Sequence, residues 1–131
     1  MIYRIIIAFA ILFMSSCIYV LEDEYVGYAY EGTPYIYDAG WECQDNGFFD
    51  DWTFWAITED SSGYYDLSYL FVRAYSLIDS GATQEINERD NVNGYYLIHR
   101  TYYSLQCGDP VDVEYTIVDY NNNSDSYTLY W

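Results

Sequence analysis

Six hard oxygen donors lie in or beside the turns of this chain: Asp60, Asp66, Asp119, Asn121, Asn123 and Asp125. Carboxylates and side-chain amides are the ligand types of Ca²⁺, which takes about six to eight oxygens. The same residues also make turns, because Asp and Asn side chains bond their own backbone two residues on. Their spacing matches neither an EF-hand nor a nonapeptide repeat, so turn-making is the expected role and Ca²⁺ the alternative. A second chemistry is stacking. Trp41, Trp52 and Trp55, with 19 Tyr and six Phe in the chain, exceed what one small core hides. Such rings at exposed strand positions stack on sugars or form a sticky protein patch. The alternative is that Tyr covers both faces of a thin sandwich with its hydroxyls in water. Catalysis has no positive signal. His99 is the single histidine, between Ile98 and Arg100 in a Tyr-rich strand, where a core or cross-strand role is expected. The Ser62-Gly63 and Ser80-Gly81 pairs belong to turns, and no P-loop, nucleophile elbow or HExxH is present. With 21 carboxylates, a glycosidase dyad is not readable from composition. No enzyme activity and no cofactor are expected; a carbohydrate-active enzyme using surface carboxylates is the rival class.

These side chains need strands to position them. From Asp51 onward the period is two. Trp52 to Glu59 reads as a strand ended by Asp60-Ser61-Ser62-Gly63, and Leu67 to Ile78 as another, with Leu70, Val72 and Ala74 on one face and Tyr69, Phe71 and Arg73 on the other. Gln84 to Val92 is a loop, an edge strand or a helical turn. Asn93-Gly94 marks a tight turn before Tyr95 to Leu105. Val111 to Asp119 alternates most cleanly, and after the turn 121–125 the residues Tyr127, Leu129 and Trp131 line one face. Residues 18–50 read as a tether followed by one or two short strands such as Tyr35-Ile36-Tyr37. Strands without helices predict an all-β antiparallel sandwich or barrel. At 131 residues the chain is one domain, and its formal charge of −17, with no Lys and only four Arg, excludes a nucleic-acid partner. Its 22% aromatic content excludes a disordered acidic tail.

Met1 to Met14 combines Arg4 with the apolar run Ile5 to Phe13, the length of a signal-peptide core and too short for a membrane span. The string Met14-Ser15-Ser16-Cys17 that follows resembles the lipobox of bacterial lipoproteins. That resemblance implies that Cys17 becomes the lipid-carrying amino terminus and the membrane the first partner. With Ile18 after the cysteine, it implies an envelope location at the outer membrane. The alternative is an ordinary signal peptide that leaves Cys17 as a thiol. If Cys17 is lipidated, Cys43 and Cys107 remain, and an even pair in an exported domain most often forms a disulfide; two buried reduced cysteines are the alternative. The expected organisation is a signal peptide over 1–16, a tether over 17–32 and a folded domain over 33–131.

Trp55-Ala56-Ile57-Thr58 with Asp60, Gly63, Asp66 and Leu70-Phe71-Val72 is similar to the early strands of bacterial immunoglobulin-like modules. Val113 to Asp119 with Asn122, Asn123, Ser124 and Tyr127-Thr128-Leu129 is similar to their last hairpin. The resemblance implies an immunoglobulin-like sandwich of about seven strands. Cys107 precedes the strand Val111 to Asp119, so the antibody-type cysteine pin and tyrosine corner are not expected. The functional expectation is a non-catalytic structural or binding role at the envelope, with a protein or glycan partner. A carbohydrate-binding surface protein and a small outer-membrane β-barrel are the alternatives.

Overall fold

Alternation from Val111 to Asp119 turns Val111, Val113, Tyr115 and Ile117 inward and Asp112, Glu114 and Thr116 outward, the two-residue period of a half-buried strand. The computed structural model describes residues 32–131. The strands are β1 (Pro34–Asp45), β2 (Asp50–Asp60), β3 (Leu67–Ser76), β4 (Gln84–Glu88), β5 (Tyr95–Tyr102), β6 (Val111–Asp119) and β7 (Ser124–Leu129). They pair antiparallel throughout, in two sheets ordered β1-β2-β5 and β4-β3-β6-β7. This is the strand order of an immunoglobulin-like sandwich, with β3, β6 and β7 in the places of C, F and G and β4 in that of C′. Each sheet has two edge strands, so the described residues form a sandwich and not the closed barrel held as an alternative.

The core lies between the sheets. Trp52, Phe54, Ala56, Tyr96 and Ile98 from the first meet Leu70, Val72, Ala74, Val113, Tyr115 and Ile117 from the second. Burying a large apolar side chain contributes about 1.5–3 kcal/mol. The Tyr115 hydroxyl donates across the sandwich to the Gly40 carbonyl, which satisfies the one polar atom this side chain brings inside.

β1 departs from the sequence reading. A tether with short strands was expected over this stretch, yet Pro34–Asp45 is a 12-residue strand. Tyr37 is an extra, bulged residue between Ile36 and Asp38, and a bulge resets the alternation. Ile36 faces inward before it, and Ala39, Trp41 and Cys43 face the core after it. Gly40 then lies opposite Trp55, where a Cβ would clash with the indole. The Asn93-Gly94 turn forms as expected, with φ of 50° and 82°, the positive pair that favours Asn-Gly in two-residue hairpins. Thr58 donates from both its backbone N–H (2.9 Å) and its hydroxyl (2.8 Å) to the Gly94 carbonyl. Within Gln84 to Val92, whose polar pattern fits a loop, an edge strand or a helical turn, Gln84–Glu88 is an edge strand.

Cys43 and Cys107 form a disulfide with Cα atoms 5.4 Å apart. It joins β1 to the connection between β5 and β6. Cys107 precedes β6, as its place in the sequence indicates, and lies in a turn, whereas Cys43 lies within β1. Around the bond, Trp52 Nε1–H donates to the Leu105 carbonyl (3.1 Å), and the Cys107 N–H donates to Asp50 Oδ2 (2.8 Å).

Candidate functional site

Asp50 and Asp60 are the two ends of β2, so the sandwich has two poles, about 30 Å apart at the rise of a strand. The disulfide marks one. At the other, β2 ends at Asp60, a single 3-10 turn at Tyr64–Asp66 leads into β3, and β6 ends at Asp119. These three carboxylates converge, with one oxygen from each within 4.8 Å of the others. Local turn chemistry fixes two of them. Asp119, 1% exposed, accepts from the N–H of Asn121 and of Asn123 (both 2.8 Å) at Oδ1 and from the Asn123 amide (3.0 Å) at Oδ2. Asp60, 8% exposed, accepts from the Ser62 N–H (2.7 Å) at Oδ1. Its Oδ2 is shut off from solvent and accepts no hydrogen bond. Asp66 is partly exposed and accepts from the Asn121 amide (3.4 Å). Burial, then the charges of Asp60 and Asp119, push its carboxyl above the usual range, opposed only by the Asn121 amide. Two unit charges 4.8 Å apart repel by about 3 kcal/mol at an effective dielectric near 20. Of the four aspartates among the six candidate donors, the fold therefore gathers three and separates one. Asp125 accepts instead from the Ile36 N–H of β1 (2.9 Å).

The outer face of the β1-β2-β5 sheet is a second feature. Its register places Ile57 beside Tyr95 and Trp55 beside Leu97, with Tyr35 opposite Glu59 on the β1 side. Ile57, Tyr95, Leu97 and Tyr35 are 39%, 41%, 47% and 42% exposed. The half toward the disulfide is polar: Thr53 pairs with His99, whose Nδ1 lies 3.0 Å from the threonine hydroxyl, and Asp51 accepts from Thr101 (2.8 Å). His99 thus has the cross-strand role expected of it. The outer face of the other sheet is organised differently. Arg73 pairs with Glu85 (2.8 Å) and lies over the rings of Phe71 and Tyr75, so these two rings are already covered by a cation.

The three tryptophans expected as a ligand platform do not share a face. Trp52 is fully buried, with rings of Trp41 and Phe54 at 5.1 and 5.9 Å. It belongs to the core, and Trp41 packs inward beside it. Trp55 alone points outward, spread over Gly40. The aliphatic members of the outer patch, Ile57 and Leu97, were missed because their strands alternate one apolar class with another. Only the phase shared with Trp52, Phe54 and Ala56 distinguishes inside from outside. Cys17 lies outside the described residues. Among the described residues no helix is long and apolar enough to cross a membrane. In comparisons with protein-family models, with curated proteins and with solved structures, nothing matches this chain.

Proposed function

We propose that this chain is an exported, non-catalytic binding module of the bacterial cell envelope, anchored by lipid at Cys17 and docking a protein partner on the outer face of the β1-β2-β5 sheet. The observation that carries the docking face is the contiguous patch of Tyr35, Trp55, Ile57, Tyr95 and Leu97. Aromatic and aliphatic side chains gathered on a flat face, with a polar margin, are the makeup of interface centres. The margin here is acidic, with Asp38, Glu42 and Glu59 on the same sheet, and the chain carries 21 acids against four arginines. The partner that complements it has an apolar centre and a cationic rim. The anchor is supported by the cysteine arithmetic: the Cys43–Cys107 bond uses two of three, suits an oxidising compartment and leaves the lipobox-like cysteine over. The same acidic charge disfavours direct adhesion to anionic lipid.

The test places a photoreactive amino acid at Leu97, and separately at Glu114 on the opposite sheet, in cells exporting the protein. A discrete protein adduct from position 97 alone, weakened by Ile57→Glu, is expected; equal adducts from both positions, or none from 97, refute the docking face. Palmitate labelling lost in Cys17→Ala checks the anchor separately. The indole of Trp55, lying over the Gly40 backbone, favours one second reading, a sugar ring stacked there. Glycan-array binding abolished by Trp55→Ala would shift the assignment to that reading.

A further inference from the structure

We infer that the acidic pole is a Ca²⁺ site in which Asp60, Asp66 and Asp119 hold one ion between the β2–β3 and β6–β7 connections. Two independent observations point to a cation. The first is geometric. Oxygens around one Ca²⁺ lie about 2.4 Å from it, so any two are at most about 4.8 Å apart, the limit within which these three carboxylates already stand. The second is the state of Asp60. It is more than nine-tenths buried, its Oδ1 is used by the Ser62 N–H, and its Oδ2 meets neither a donor nor solvent, in a carboxylate that stands together with those of Asp66 and Asp119. A buried anionic oxygen without a partner is among the costliest arrangements a fold can hold, and a bound cation resolves it.

The three ligands have different characters, which the site can use. Asp119 is locked by three hydrogen bonds from Asn121 and Asn123 and sets the position of the ion. Asp60 supplies the sequestered oxygen. Asp66, partly exposed, opens the site toward water, which completes the coordination of a hard cation. Asp66 also already touches the other connection, because the Tyr120 N–H donates to its carbonyl (2.9 Å). The ion would therefore tie together loops that the backbone brings side by side, at the pole where β1 begins, since Pro34 is the partner of Asp60. Mg²⁺ fits less well: at about 2.1 Å per bond its oxygens span only about 4.2 Å, and its octahedral geometry is strict.

The test uses the purified full-length chain, stripped with chelator and titrated with Ca²⁺ alone, then with Tb³⁺, whose luminescence Tyr64, Tyr65 and Tyr120 can sensitise from beside the ligands. One site with a midpoint of about 10⁻⁴ to 10⁻³ M, the range of extracellular modules, is expected, together with a Ca²⁺-dependent rise in melting temperature. Asp66→Asn, at the least buried and least bonded position, should weaken binding at least tenfold while leaving the metal-free fold intact. Asp125→Asn, outside the cluster, should leave the midpoint unchanged. Absence of saturable binding up to 10 mM overturns the site. Equal weakening by Asp66→Asn and Asp125→Asn also overturns it, since that is diffuse counterion association with an acidic surface.

Discussion

Removing the disulfide measures how the fold is held. The Cys43–Cys107 bond closes a loop across a separation of 64 residues that contains β2, β3, β4 and β5. The chain-entropy relation gives such a loop about 4 kcal/mol of stabilisation through the unfolded state. Small domains have about 5–15 kcal/mol in total, so the double variant Cys43→Ala/Cys107→Ala should retain the sandwich with a much reduced margin. With an m-value of about 1.5 kcal/mol/M, the urea midpoint falls by about 3 M. The assay is equilibrium urea unfolding followed by tryptophan fluorescence, which reads Trp52 and Trp41 directly beneath the bond. Trp52→Phe in the oxidised protein is the companion measurement. It keeps a ring in the core but removes the hydrogen bond to the Leu105 carbonyl, at a cost of about 1 kcal/mol plus a smaller packing loss. A midpoint drop below about 0.5 M in the double variant refutes the reasoning. It would mean that the unfolded reduced chain already keeps β1 close to the β5–β6 connection, so that the bond removes little further freedom.

Two further outcomes follow from the packing. Gly40→Ala places a methyl against the Trp55 indole and should cost about 1–3 kcal/mol as an overpacked contact. In a Trp55→Val background the same change should cost under about 0.5 kcal/mol, and additive losses in this double-mutant cycle would show that the indole is not the obstacle. Burial raises the hydroxyl pKa of Tyr115 and pushes that of Tyr96 up to about 12. Both stay protonated in the folded state while the unfolded chain ionises near 10, so stability is full below pH 10 and declines by about 1.4 kcal/mol per pH unit for each as pH rises toward 12. Unfolding measured across that range should show a shallower decline in Tyr115→Phe, and an unchanged slope would contradict this origin.

How much of the molecule was legible in the sequence depended on whether a strand followed one rule along its whole length. β6 did: its alternation points Val111, Val113, Tyr115 and Ile117 inward, and each is at most 1% exposed. The Asn93-Gly94 turn was equally plain because its chemistry is local. β1 was obscured because the bulge at Tyr37 shifts the phase in mid-strand and Gly40 looks like a break, whereas that glycine is the seat for a tryptophan on the neighbouring strand. The acidic pole was half legible. Asp60 and Asp66 are close in sequence, but that Asp119 joins them and Asp125 does not is decided by the pairing of β3 with β6, in which Leu67 faces Asp119. The tryptophans failed as a group for a related reason: residue type alone does not tell an inward indole from an outward one when both strand faces are apolar.

The disulfide also determines how the domain responds to force. A pull transmitted along the chain from before Pro34 enters at the first residue of β1, an edge strand that can peel from β2 one bonded pair at a time. Peeling runs only as far as Cys43, where the load passes covalently to Cys107 and from there into the connection leading to β6. Nine residues are released before that point, about 30 Å of extension at roughly 3.3–3.6 Å each. The oxidised domain is thus a short tether extension backed by a stop, with β2 through β5 shielded from the pull.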